Sequence, residues 1–238
     1  MLVKFLRRKS LNFQRSALFD MQPILLGILG LEYQGFMECE TNFLLTLVNS
    51  MERGVTENKK PQYPAQSWWS VLMMEPVKEI PGIDPTQAPL VKLTKASLIN
   101  IPITDPTYGK YSIRFNQDVD PVTEINMVIK AVMAEAATRP VIASINALDR
   151  FLHTKPSLKC GIYNVLDKAL RELILRGDLT HIILFSPYGN PQGPEEGNHS
   201  EYGVYIATIP RPRHEDTVKI HEIGYLFNEA VLSTQRVL

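Results

Sequence analysis

A chain of 238 residues can bury a sizeable core as one large domain or two small ones, and 45% hydrophobic against 21% charged residues excludes a disordered chain. Lysine plus arginine and aspartate plus glutamate each number 25, so the chain lacks the basic excess on which general nucleic-acid and membrane-surface binders rely. The longest apolar run, Pro23 to Leu31 with its two glycines, falls short of a bilayer span.

In chain order, the first segment is basic. Lys4, Arg7, Arg8, Lys9 and Arg15 occur with no acid in residues 1–19, interleaved with Leu2, Phe5, Leu6, Leu11, Phe13 and Leu18. The composition reads as an ordered basic arm or helix. A transit-type targeting segment, with a mitochondrial setting, and a contact for an anionic partner are the other readings. Met37 to Arg53 is predicted as a helix with Phe43, Leu44, Leu47, Val48 and Met51 on one face and Gly54 at its stop. Residues 1–54 therefore form an expected basic arm and helical segment.

Residues 55–107 carry eight of the 17 prolines. Proline removes a backbone donor and fixes φ, which argues against long helices and central strands. The segment is expected to lie as an extended arm across another surface, with Trp68 and Trp69 as its apolar anchors.

Residues 108–238 read as an α+β core domain. Tyr111 to Phe115 alternates apolar and polar residues, a strand pattern. Asp120 before Pro121 is a helix start, and Ile125, Val128, Ile129, Val132 and Ala136 continue it toward Pro140. A second helix is expected from Ile142 to Leu152 and a third from Ile162 to Arg176, stopped by Gly177. Thr180 to Phe185 and Gly203 to Ile209 read as strands that pair antiparallel across the loop Ser186 to Glu201, and residues 218–236 as a last helix. The order lacks βαβ alternation. The expected fold class is α+β, with helices on a small, mostly antiparallel sheet and a proline-rich extended segment in the N-terminal half.

Chemistry-bearing motifs are sparse. His214, Glu215 and Asp216 with His221 form the densest titratable cluster, but its histidines stand seven apart, whereas an HExxH zinc motif needs one helical turn. No metal and no cofactor is expected from it. Arg211 and Arg213 around Pro212 could bind an anion or pair with Glu195, Glu196 or Glu201. The loop from Ser186 lacks GxGxxG and P-loop spacing and reads as a contact loop presenting Tyr188 and Asn190. Cys39 and Cys160 show no metal-ligand spacing and read as two buried free thiols in a reducing intracellular compartment.

These features point to a structural or assembly subunit of a large multi-protein particle, such as a virion tail, neck or connector component. It would act as an oligomer or complex member by binding other protein subunits through Trp68, Trp69, Tyr188, Asn190, Arg211 and Arg213. The alternative is a hydrolase or nuclease using His214, Glu215, Asp216 and His221.

Overall fold

Five consecutive apolar residues between Pro23 and the left-handed turn at Gly30 (φ 79°) form a strand, because a run this short that is buried on both sides needs no period-two alternation. The computed structural model of the protein describes residues 20–58, 60–115, 119–176, 178–179, 181–210 and 216–235. After the two-residue β1 (Asp20–Met21), this run is β2 (Ile24–Ile28). Then come α1 (Tyr33–Glu38), α2 (Asn42–Ser50), β3 (Glu52–Glu57), α3 (Pro64–Met73), α4 (Pro89–Thr94) and β4 (Ser97–Ile99). The chain continues through α5 (Pro121–Ala136), β5 (Val141–Ile145), α6 (Ala147–Leu152) and α7 (Lys159–Arg176). It closes with β6 (Asp178–Leu179), β7 (Ile182–Phe185), β8 (Tyr202–Ala207), β9 (Thr217–Lys219) and α8 (Glu222–Gln235).

Seven strands form one mixed sheet in the order β4-β5-β2-β7-β8-β3-β9, while β1 and β6 form a separate parallel pair. From β4 to β7 the pairing is parallel; β8 is antiparallel to β7 and to β3, and β9 is parallel to β3. Side chains alternate between two cores. Ile24, Leu26, Ile28, Ala143, Ile145, Leu184 and Ile206 face the core built by α1, α2, α5, α6 and α7. Leu25, Leu29, Ile142, Ile183, Phe185 and Tyr205 face the core of α3, α4 and α8. Helices thus cover both faces of the sheet, which makes the chain α/β.

This corrects the expectation of a small, mostly antiparallel sheet. The parallel centre went unread because β2, β4 and β5 are short buried runs whose partners lie far away in sequence. Residues 142–145, expected to open a helix, are strand, and the helix begins at Ala147. The predicted helix Met37 to Arg53 is broken between α1 and α2, and Arg53 and Gly54 lie in β3. Residues Tyr111 to Phe115 form no strand. The helix after Asp120, the antiparallel pairing of β7 with β8 and the last helix are as expected. The Asp120 carboxylate accepts the Thr123 amide at 3.0 Å.

The proline-rich stretch is not an extended arm. Pro64 and Pro89 are the first residues of α3 and α4, where the missing amide costs nothing, and both helices pack on the sheet. Strands from each of the three expected segments belong to the same sheet. The two cysteines are bonded to each other, joining the end of α1 to the first turn of α7 across 121 residues, so the free-thiol expectation is also corrected. The basic segment 1–19, Arg211, Arg213, His214, Glu215 and Gly177 lie outside the described residues. No described helix is long and apolar enough to cross a membrane.

Gly203 is required for close approach. A Cβ on Gly203 in β8 would collide with the Ser186 carbonyl and the Thr56 hydroxyl, which donates to that same carbonyl. Gly203→Ala is therefore expected to push Ser186 away from β3 and to destabilise the protein by about 1–3 kcal/mol, measured by urea unfolding.

Candidate metal centre

The parallel strands β4, β5, β2 and β7 deliver their carboxyl ends to one edge of the sheet, where open α/β sheets place their ligand sites. Four loops leave this edge. The one after β5 enters α6, which carries Asp149, with His153 at its C-cap. At a spacing of four residues the two side chains lie on one helix face. The long loop between β7 and β8 returns His199 to the same point.

His199 Nε2 lies 2.6 Å from Asp149 Oδ1, and His153 Nε2 lies 3.8 Å from the same oxygen. One ligand atom from each of the three side chains falls within 4.8 Å of the others, the only such group among the described residues. The histidine rings meet edge-to-face at 5.0 Å between centroids. Tyr188 stacks on His199 at 4.0 Å between centroids. Side-chain exposure is 1% for His199, 6% for Asp149 and 14% for His153, so the group is reached from the His153 side.

The hydrogen bonds fix the chemistry of each donor. His153 Nδ1 lies 2.8 Å from the Gly193 carbonyl oxygen, which can only accept, so Nδ1 carries a proton and Nε2 is turned toward Asp149. Burial pushes the Asp149 carboxyl up, but hydrogen bonds from His153 and His199 outweigh it and hold it below the usual carboxylate range. The bond to Asp149 raises the His153 imidazole, with burial working against it. Burial raises the Tyr188 phenol well above its ordinary value, and the Asp149 charge adds to this, so Tyr188 stays protonated.

The loop that carries His199 is tied down along its length. The Asn190 side chain donates to the Gly30 carbonyl and to Tyr163 Oη, and its amide donates to Glu32 Oε2 at 3.0 Å. Lys159 in turn pairs with Glu32 at 3.2 Å. Ser186 Oγ donates to the Tyr188 carbonyl at 2.6 Å, and the Ser200 amide to the Asn190 carbonyl at 2.9 Å. A side chain on Gly30 would meet the Asp149 amide at 3.4 Å, a measure of how closely the β2 turn packs on α6.

Two observations test whether this group suits a cation. The donor set is two imidazoles and a carboxylate, borderline ligands that suit Zn²⁺, Mn²⁺, Co²⁺ and Fe²⁺. His199 Nδ1 is buried without a hydrogen-bond partner. Buried polar atoms are rarely left so. The residues fit a divalent cation, and the Gly193 carbonyl supplies the outer contact that orients a ligating histidine.

The described residues among those singled out from the sequence do not converge on this group, apart from Tyr188 and Asn190 in its loop. Trp68 and Trp69 are 0% and 2% exposed and lie in the core beneath α3, with Trp68 edge-to-face on Phe185 at 5.2 Å. Tyr188 and Asn190 are buried in the loop rather than presented to a partner. Asp216 is exposed beside β9, at the far end of the sheet order from β4 and β5, and His221 lies in the turn just before α8. Asp149, His153 and His199 were all missed. The Asp149/His153 spacing was the available signal, but nothing local marks the third partner 50 residues beyond Asp149.

No protein-family model and no curated protein matches the sequence significantly. Solved structures do match its fold. The PH0037 protein from Pyrococcus horikoshii aligns at TM-score 0.56 and 10% identity over 91% of this chain and 98% of that one. Murine ectonucleotide pyrophosphatase/phosphodiesterase 5 aligns at TM-score 0.58 and 8% identity over 89% of this chain and 95% of that one. Alkaline phosphatase from the Antarctic bacterium TAB5 aligns at TM-score 0.56 and 9% identity over 91% of this chain and 99% of that one. With Trp68 and Trp69 inside the chain's own core, these likenesses overturn the expectation of a virion or other assembly subunit. At this identity what is shared is architecture, and the chain has an alkaline-phosphatase-like fold.

Proposed function

We propose that the chain is a divalent-cation-dependent hydrolase of phosphate esters, with Asp149, His153 and His199 holding the cation. The observation that carries this reading is the convergence of the three side chains at the carboxyl edge of the parallel strands. The fold shared with a pyrophosphatase/phosphodiesterase and an alkaline phosphatase supports it. A cation bound there supplies Lewis acidity and fixed positive charge against the oxygens of a phosphoryl group. Asp149 contributes the negative charge that offsets it. The Gly193 carbonyl keeps His153 Nε2 aimed inward, and Tyr188 holds the plane of the His199 ring. The partly open His153 side is where an ester would approach.

Burial favours a second reading. A closed set of ligands with 1% and 6% exposure at His199 and Asp149 resembles a structural site, in which a cation would lock the β7–β8 loop onto α6.

The deciding experiment treats the full chain with a chelator, adds back Zn²⁺, Mn²⁺, Co²⁺ or Mg²⁺, and records both Tm and hydrolysis of para-nitrophenyl phosphate and its bis ester. Cation-dependent turnover with a rise in Tm is the expected result. A rise in Tm without turnover of either ester selects the structural site, and no response to any cation removes both readings.

A further inference from the structure

We infer that Glu124 is a positioning residue for the Asp149/His153 pair: from α5 it holds both ends of the segment on which those side chains stand. The inference rests on the cation-site reading above.

Glu124 is completely buried, and both carboxylate oxygens are used. Oε1 accepts the Asn146 backbone amide at 2.7 Å and the Asn100 side chain at 3.0 Å. Oε2 accepts Arg150 Nη1 at 2.7 Å, in an ion pair whose side chains are 0% and 3% exposed. Asn146 is the residue before α6, and Arg150 directly follows Asp149. One carboxylate therefore grips the helix on both sides of Asp149. Arg150 extends the grip, with Nε donating to the Phe115 carbonyl at 3.2 Å and Nη2 to the Val119 carbonyl at 3.3 Å.

The carboxyl ends of two further strands are tied in. The Asn146 side chain donates to the Asn100 carbonyl at 3.2 Å, and the Asn100 side chain to the Ser144 carbonyl at 3.0 Å. Asn146 itself caps nothing with its side chain, so its order comes from this network. A buried ion pair contributes little net stability over an apolar pair of similar volume, because both charges must leave water. What this pair supplies is direction. α6 buries Ala147, Leu148 and Leu152 in the core, but apolar packing is non-directional, and the carboxylate adds a directed hold at Asn146 and Arg150 on either side of Asp149. A small slip would move Asp149 and His153 together and away from His199, and ligand geometry tolerates little of that.

The inference predicts that the network controls cation binding separately from folding. The variants are Glu124→Gln, which keeps the shape and removes the charge, and the double variant Glu124→Leu/Arg150→Met, which replaces the pair with apolar volume and keeps the protein testable if Glu124→Gln alone fails to fold. Each is compared with wild type at a temperature where circular dichroism shows it folded. The readouts are Zn²⁺ affinity by calorimetry and the visible absorption of bound Co²⁺, which reports ligand geometry. Affinity is expected to fall roughly 10- to 100-fold, as for other residues that orient metal ligands, with an altered Co²⁺ spectrum. A folded variant with wild-type affinity and an unchanged spectrum overturns the inference while leaving the cation site standing. A wild-type chain that binds neither ion overturns the site and the inference together.

Discussion

Asp149→Asn is expected to abolish measurable cation binding, lowering affinity by more than about 100-fold, and to remove any cation-dependent turnover with it. The substitution is nearly isosteric, so it tests charge rather than shape. In the native chain the carboxylate is held ionised by two imidazoles despite its burial, and its Oδ1 lies within 2.6 and 3.8 Å of the two facing nitrogens. A neutral amide offers no anionic ligand and can turn an NH₂ toward the same nitrogens. His199→Ala should behave alike toward the cation, and it should also free the stacked face of Tyr188 and loosen the loop. Calorimetric titration of the chelator-treated variants gives the answer. Retention of near-wild-type affinity in both would show that these side chains do not form the site.

Trp68→Ala is expected to destabilise the chain by roughly 3–5 kcal/mol, a large fraction of the stability of an ordinary domain. The indole is 0% exposed, packs edge-to-face on Phe185, and fills the space that Gly27 leaves open in β2; a Cβ there would collide with it. Removing it opens a void between the central strand and α3. The check is the urea midpoint of the full chain at unchanged m. A loss below about 1 kcal/mol would mean that the ring is not part of the core, since full burial of a large side chain is worth more than that.

How much of this was legible depended on the range of the forces involved. Asp120, Pro121 and the apolar positions that follow contain all that α5 needs, because a cap and a one-turn period act within a few residues. The same holds for α7 and α8, and for the β7–β8 pairing across a single loop. The prolines were legible but misweighted. Pro64 and Pro89 start helices instead of breaking them, and proline has the same local preference for φ in either role.

The centre of the fold was not legible in this way. Ile24 to Ile28 and Val141 to Ile145 are buried on both faces, so they carry no alternation, and their length alone separates them poorly from pieces of helix. The site suffers the same loss at higher cost. Asp149 and His153 are one turn apart in the sequence, but a turn with two ligating side chains is common and names no third. His199 joins them because β5 and β7 flank β2 in parallel, which brings the two loops to one edge. The Cys39–Cys160 bond, between residues 121 positions apart, depends likewise on α1 and α7 lying side by side. The sequence by itself determined the helices with caps, the apolar content that makes a core and the absence of a bilayer-length apolar run. Only the tertiary structure decided the parallel sheet, the disulfide and the convergence of Asp149, His153 and His199, because each requires partners that local backbone preferences cannot bring together and that are chosen when both faces of the sheet are buried at once.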